Sequence, residues 1–152
     1  MIRAREAEDS DRSFLRKLHH AAYRDVVTRQ FGKWVESDQD AWFEQKQDSP
    51  IKIIELDGVP VGAIAVHDAD DHVFLAELQI APEFQNRGIG STMLRAELER
   101  ATELARPLRL RVLFQNHARA LYERHGFTVT GHTETHYLMA WEPRSTIGSG
   151  RE

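Results

Sequence analysis

The chain has 152 residues, with 24 Asp and Glu against 20 Lys and Arg, a formal net charge of −4, and no cysteine. A general nucleic-acid binder would be basic, and without thiols there is no disulfide frame, thiolate metal site or cysteine nucleophile. With 41% hydrophobic and 29% charged residues, length and composition are those of one soluble globular domain with a core of its own. Neither a secretory-type apolar leader nor a run of about 18 apolar residues occurs, so the expectation is a cytoplasmic protein with no membrane and no nucleic acid among its partners. The slight acidic excess mildly favours a cationic or amine-bearing substrate through steering.

Residues 1–7 alternate weakly and predict a first strand. Over 10–27, Phe14, Leu15, Leu18, Ala22 and Val26 share one face at a helical period, with Asp9 or Ser10 as N-cap. The link 28–36 holds Phe31, Trp34 and Val35, too apolar for a plain solvated loop. Ser37-Asp38-Gln39-Asp40 matches a capping box opening a short helix through Trp42 and Phe43, which should stop by Ser49 ahead of Pro50. Segments 51–56 and 59–67 read as strands joined by the Asp57-Gly58 hairpin signal, and Pro60 places the returning strand's start there, or the strand at an edge.

An acidic turn, 67–72, leads into a strand over 73–80. After a glycine-containing turn a helix buries Ile89, Met93, Leu94, Leu98, Ala101 and Ala105 as one stripe and ends at Pro107. Leu108, Leu110, Val112 and Phe114 then alternate with Arg109 and Arg111 as a strand. Asn116 caps a helix running to about His125 and closed by Gly126, and 127–132 and 135–141 are the last strands. Residues 143–152 read as a loose tail, which leaves 1–142 as the domain. This order predicts an α/β fold, a mixed and mostly antiparallel sheet of about seven strands with helices on both faces.

The stretch Gln85-Asn86-Arg87-Gly88-Ile89-Gly90 lies between that central strand and the long helix. A strand, a tight turn and a helix N-terminus in that order make an anion site, because the first helical N–H groups lack partners and the dipole adds positive charge. Gly88 and Gly90 remove Cβ atoms where a ligand approaches the backbone, and Arg87 adds a fixed charge. No Gly-Lys-Ser/Thr follows, so the stretch is not a P-loop, and the third glycine of the dinucleotide fingerprint is missing. The physical expectation is a phosphate or pyrophosphate ligand.

Gln85-x-x-Gly88-x-Gly90 after Ile80-Ala81-Pro82 resembles the acyl-CoA loop of the GCN5-related N-acetyltransferases (GNAT family), and the stretch from Asn116 through Tyr122 to Phe127 resembles that family's second signature. The resemblance covers about residues 1–141, most specifically 74–127. It implies a sheet whose fourth and fifth strands splay at the acyl-CoA site, with acetyl-CoA as co-substrate. The pyrophosphate would take backbone N–H bonds from Gln85, Asn86, Arg87, Gly88, Ile89 and Gly90, with Ser91 at the helix start. The pantetheine arm would lie along the backbone of Leu78 and Ile80. Asn116 would reach the cofactor arm, besides capping its helix. Homodimers are common in the family, and the sequence does not fix whether this chain forms one.

Acetyl transfer to an amine needs a held thioester, an amine stripped of its proton and a proton for the departing thiolate. Tyr122 stands where the family places its proton donor, although packing beside Leu121 is its other reading. Glu77 is the candidate base: alternation puts it on a sheet face with Leu75 and Gln79, and a mid-strand carboxylate among apolar neighbours needs an explanation. Pairing with Arg109 or Arg111 is the competing one. For the acceptor, the fold's habit points to the first two helices and last two strands, here Tyr23, Phe31, Trp34, Trp42, His136 and Tyr137, whose aromatic faces suit a cation. The histidines show no metal spacing and Asp68-x-Asp70 is too short for a calcium loop, so no metal is expected. The sequence thus predicts an N-acetyltransferase acting directly on a primary amine of a small molecule. Acetylation of a protein N-terminus or lysine, and a non-catalytic acyl-CoA-binding module, stay open beside it.

Overall fold

The computed structural model describes residues 1–45 and 50–143. The expected end of the second helix before Ser49, and the expected tail apart from Pro143, lie outside the described residues. The strands are β1 (Ile2–Glu6), β2 (Lys52–Leu56), β3 (Val59–Asp68), β4 (Val73–Ile80), β5 (Leu108–Leu113), β6 (Thr128–His132) and β7 (His136–Trp141). The helices are α1 (Arg12–Phe31), α2 (Glu36–Gln45), α3 (Ile89–Leu104) and α4 (Ala118–Arg124). One sheet carries the strands in the order β1-β2-β3-β4-β5-β7-β6. β4 and β5 are parallel, registered at Val73↔Leu108 and Phe74↔Arg109, while β1/β2, β2/β3, β5/β7 and β6/β7 are antiparallel. This is the mixed, mostly antiparallel seven-stranded α/β fold expected. By packing, the chain divides into two units, Met1–Val66 with Ala76–Gly90 and His67–Leu75 with Ser91–Glu152. None of the described helices is long and apolar enough to cross a membrane.

In the first unit the β2–β3 hairpin turns on Asp57 (φ 51°) and Gly58 (φ 84°), both left-handed as the favoured two-residue turn requires. The register slips between Ile54↔Gly62 and Glu55↔Pro60, so the residue without an N–H falls at a bulge near the strand's start. The first helix opens later than its cap signals suggest. A 3-10 turn, Asp9–Asp11, precedes it, and Asp11 rather than Asp9 or Ser10 is the N-cap. The reason is tertiary: Arg5 grips the Asp11 carboxylate with Nη1 at 2.8 Å and Nη2 at 2.9 Å. α1 also runs four residues past Val27, because 28–31 hold no breaker until Gly32 turns left-handed (φ 85°) and its N–H bonds the Thr28 carbonyl at 2.9 Å.

α2 begins before the expected capping box. The Val35 carbonyl accepts from the Asp38 and Gln39 N–H groups, both at 3.1 Å, which puts Ser37 inside the first turn. Charge pairs at four-residue steps then join the two helices in antiparallel order: Arg12 to Glu44, Arg16 to Asp40 at 2.9 Å, His20 to Glu36 at 2.9 Å. Each exposed pair is worth only about 0.2–1 kcal/mol. They match the antiparallel register, while Leu15, Leu18 and Phe43 packing with Ile53 and Ala63 supply the core.

In the second unit, β7 lies between β5 and β6, registered from Leu108↔Trp141 to Leu113↔His136. Leu108, Leu110 and Val112 are buried as the alternation foretold, Phe114 falls beyond β5 and is half-buried, and Met139 of β7 is buried as well. Arg100 grips Asp68 with Nη1 at 2.9 Å and Nη2 at 2.7 Å, and Arg106 donates to the Ala69 carbonyl at 2.9 Å, which accounts for the acidic turn. The stripe on α3 is narrower than expected. Leu94 and Ala101 are buried, Met93 and Leu98 half-buried, and Ala105 is exposed beyond the helix. Ala105 takes φ 57° as the left-handed residue of a Schellman closure, its N–H bonded to the Thr102 carbonyl and that of Arg106 to the Ala101 carbonyl, both at 3.0 Å. Gly126 (φ 96°) closes α4 in the same way, as expected.

Two outcomes follow from these caps. A Cβ in the left-handed region costs about 1–2 kcal/mol, so Ala105→Gly is expected to raise stability by about 1 kcal/mol, read as a higher denaturant midpoint at unchanged slope. The Arg5 hydrogen bonds, then the Glu8 backbone, push Asp11 from 3.8 down to about 2. Because the folded value is the lower one, this stabilisation is complete above about pH 4 and lost as pH falls through 2. Asp11→Asn is expected to cost about 2 kcal/mol near neutrality and to flatten the stability profile over that acid range.

Candidate active site

Alternation along β4 places Leu75, Glu77 and Gln79 on one face, and only Leu75 of the three is buried. Within the first unit, Glu77 Oε1 accepts from the Tyr23 hydroxyl at 3.2 Å and from Gln79 Nε2 at 2.5 Å. The expectation of an explained mid-strand carboxylate is thus met by a phenol and an amide. Tyr23 comes from the middle of α1, and its ring lies 4.9 Å from both the His19 and Trp42 rings. His19 is 1% exposed, stands edge-on to Trp42 at 5.1 Å and meets Gln39 Oε1 through Nε2 at 3.1 Å.

Among the proposed acceptor residues, Tyr23 therefore meets Glu77 and Trp42 packs against the Tyr23 ring. Trp34 packs on His20 at 5.3 Å and under the Arg24 guanidinium at 5.7 Å. Its buried Nε1 has no hydrogen-bond partner among the described residues, a loss of about 1–3 kcal/mol for a buried donor. Phe31 is half exposed at the end of α1, eight residues and about 12 Å of helix beyond Tyr23. Sequence reasoning put Gln79 on the face of Glu77 without giving it a part, and it passed over His19 and Gln39. The usable signal was spacing: His19 and Tyr23 are four residues apart and share a helix face.

Beyond Ile80 the chain makes a 3-10 turn, Pro82–Phe84, and Gln85 reaches back to give its Nε2–H to the Ile80 carbonyl at 2.9 Å. Asn86 (φ 64°) and Gly88 (φ 82°) are both left-handed. A Cβ on Gly88 would meet nothing within 4 Å, so this glycine is needed for its backbone angle more than for space. Arg87 lies 5.3 Å over the Phe84 ring. Ile89, Gly90 and Ser91 form the first turn of α3, where N–H groups have no intrahelical acceptor. A Cβ on Gly62 would come within 2.3 Å of the Gln79 carbonyl oxygen, so β3 passes very close to the stretch bearing Gln79 and Ile80. Leu78 and Ile80 are half-buried there.

The second unit holds Asn116, Tyr122 and His136. Asn116 Oδ1 accepts from the Ala118 N–H at 2.9 Å, but from one residue ahead of the cap position, because His117 and not Asn116 is the N-cap of α4. Tyr122 is 7% exposed, its ring edge-on to Phe127 at 5.6 Å. Its carbonyl closes α4 by accepting from Phe127 N–H at 3.1 Å. His136 Nδ1 lies 2.7 Å from Thr135 Oγ1, and burial and then the charge of Arg111 hold the ring below the ordinary histidine range. Tyr137 packs on Phe114 at 4.8 Å, with the Arg119 guanidinium 4.4 Å over its ring. Among the described residues, no three His, Asp or Glu side chains gather as a metal site would need.

The model of the Acetyltransferase (GNAT) family matches residues 14–127. The uncharacterized N-acetyltransferase YafP of Escherichia coli (strain K12) is 23% identical over 128 residues, 84% of this chain and 79% of that protein. The crystal structure of PaiA N-acetyltransferase from Thermoplasma acidophilum in complex with coenzyme A is similar at a TM-score of 0.75 and 20% identity, covering 93% of this chain and 99% of that one. The structure of YncA from Salmonella typhimurium with its cofactor acetyl-CoA is similar at a TM-score of 0.61 and 20% identity over 95% of each chain. At these identities the structural likeness speaks for the fold.

The left-handed angle at Gly88 gives the turn its own test. Gly88→Ala is expected to cost about 1–2 kcal/mol of stability, whereas Gly88→Asn costs less because asparagine tolerates that region. Denaturant midpoints of the two variants measure the difference.

Proposed function

The chain belongs to the acetyltransferase (GNAT) family, and we propose that it moves an acetyl group from acetyl-CoA directly to a primary amine of a small molecule. Membership makes it an acetyl-CoA-dependent N-acyltransferase; the acceptor and the residue roles are our reading. The observation that carries this reading is the carboxylate of Glu77, bonded by Tyr23 and Gln79, with the Tyr23 ring tilted against the rings of Trp42 and His19. Such a group attracts an ammonium, takes its proton and leaves a nucleophilic amine, while the ring faces favour a cation.

In this reading the turn from Gln85 to Gly90 and the first N–H groups of α3, with Ser91, hold the pyrophosphate. The bound coenzyme A of PaiA and acetyl-CoA of YncA support that donor. The backbone of Leu78 and Ile80 takes the pantetheine arm, and Asn116 helps to hold it. The amine attacks the thioester carbonyl, the C–S bond breaks, and the Tyr122 hydroxyl gives the thiolate its proton. Tyr23, Phe31, Trp34, Trp42 and His136 are the residues assigned to the acceptor in this reading. Direct transfer suits a chain without cysteine, and no metal takes part in these steps. We place the reaction in the cytoplasm.

Thermal stabilisation by acetyl-CoA, followed by thiol release with a panel of amines and peptides, tests this. Acetyl-CoA at about 100 times its dissociation constant is expected to add roughly 2.7 kcal/mol. Turnover on small amines is expected, with Glu77→Gln lowering kcat about 10²–10⁴-fold and Tyr122→Phe lowering it with little change in acetyl-CoA binding. Turnover confined to peptides would overturn the small-molecule acceptor. Turnover unchanged in Glu77→Gln would overturn its role as base.

A further inference from the structure

We propose that Tyr23 and Gln79 are positioning residues, fixing the carboxylate plane of Glu77 so that it meets the acceptor amine in one orientation; this rests on the reading of Glu77 as the base. The last torsion of a glutamate is broad and roughly two-fold, so a lone carboxylate on a strand presents its oxygens in many directions. Here two donors converge on one oxygen, Oε1, the Tyr23 hydroxyl from α1 at 3.2 Å and the Gln79 amide from β4 itself at 2.5 Å. Two bonds from different elements to the same oxygen define a plane, which one bond cannot.

Tyr23 is itself held. Its ring packs 4.9 Å from His19 and 4.9 Å from Trp42. His19, 1% exposed, is tied by Nε2 to Gln39 of α2 at 3.1 Å. A line of contacts thus runs from Gln39 through His19 and Tyr23 to Glu77, and the antiparallel pairing of α1 with α2 sets the angle of a carboxylate on β4. Proton transfer breaks an N–H bond of the substrate ammonium and forms an O–H bond on Glu77, so its rate depends on that angle.

Tyr23→Phe keeps the ring and removes only the hydroxyl, and Gln79→Leu removes the amide at similar size. Each is expected to lower kcat/KM for the amine about tenfold with the KM for acetyl-CoA nearly unchanged, and to lower the melting temperature modestly, because Glu77 loses a donor. In a Glu77→Gln background neither substitution should lower activity further, because the Tyr23 hydroxyl and the Gln79 amide act only through that carboxylate, and the Tyr23 ring that contacts the acceptor is kept in Tyr23→Phe. Equal losses in both backgrounds, or no loss in either, overturn the positioning while leaving Glu77 as base intact. A crystal structure of the Tyr23→Phe, Gln79→Leu double variant reads the same point without any substrate. A Glu77 side chain that keeps its native torsions there overturns the proposal, and one that rotates supports it. Native turnover unaffected by Glu77→Gln would instead bring down the reading beneath it.

Discussion

A carboxylate halfway along a half-buried strand has to be met by donors, since an unpaired charge removed from water is costly. Glu77 meets that constraint through Tyr23, which lies 54 residues earlier in the chain, and through Gln79 two residues later. Much of the first unit follows from bringing that phenol to β4. α1 must be long and in register, its buried face must carry His19 as well as leucine, and α2 must lie alongside to hold His19 through Gln39. The apolar contacts of Leu15, Leu18 and Phe43 with Ile53 and Ala63 supply the driving force. Arg12–Glu44, Arg16–Asp40 and His20–Glu36 contacts at four-residue steps accompany that packing along the two helices.

The turn after β4 obeys a different constraint, backbone angle. Two left-handed residues, Asn86 and Gly88, deliver the chain from the strand to the first turn of α3 within a few residues. Gln85, bonded back to the Ile80 carbonyl, straps the turn to the end of the strand just before the chain bends. A signature of glutamine and spaced glycines thus has a local mechanical meaning independent of any relative: strap, left-handed bend, helix start.

Legibility of the fold tracked the range of the forces involved. β4 is 73–80 as its alternation indicated, and the Asp57-Gly58 turn and the Gly126 closure are where local chemistry put them. These features depend on period and on φ preference, which a few neighbouring residues carry. The start of α1 was displaced because Arg5 and Asp11 bond each other, and its end because Gly32 and not Thr28 breaks the helix. Ala105 shows the limit of composition: an alanine occupies a left-handed closure that sequence rules assign to glycine.

The site divides along the same line. The sequence by itself determined the strand–turn–helix around Gln85 to Gly90, the placement of Glu77 on one face of β4, and the closure of α4 at Gly126, because alternation, glycine angles and helix ends are written over short spans. Only the tertiary structure decided that Tyr23 and Gln79 converge on one oxygen of Glu77, that His19 is buried between Tyr23 and Gln39, and that Phe31 is left exposed. Those outcomes depend on which helix face lies against which strand, a choice fixed by burying apolar area across dozens of residues and not by the preference of any one of them.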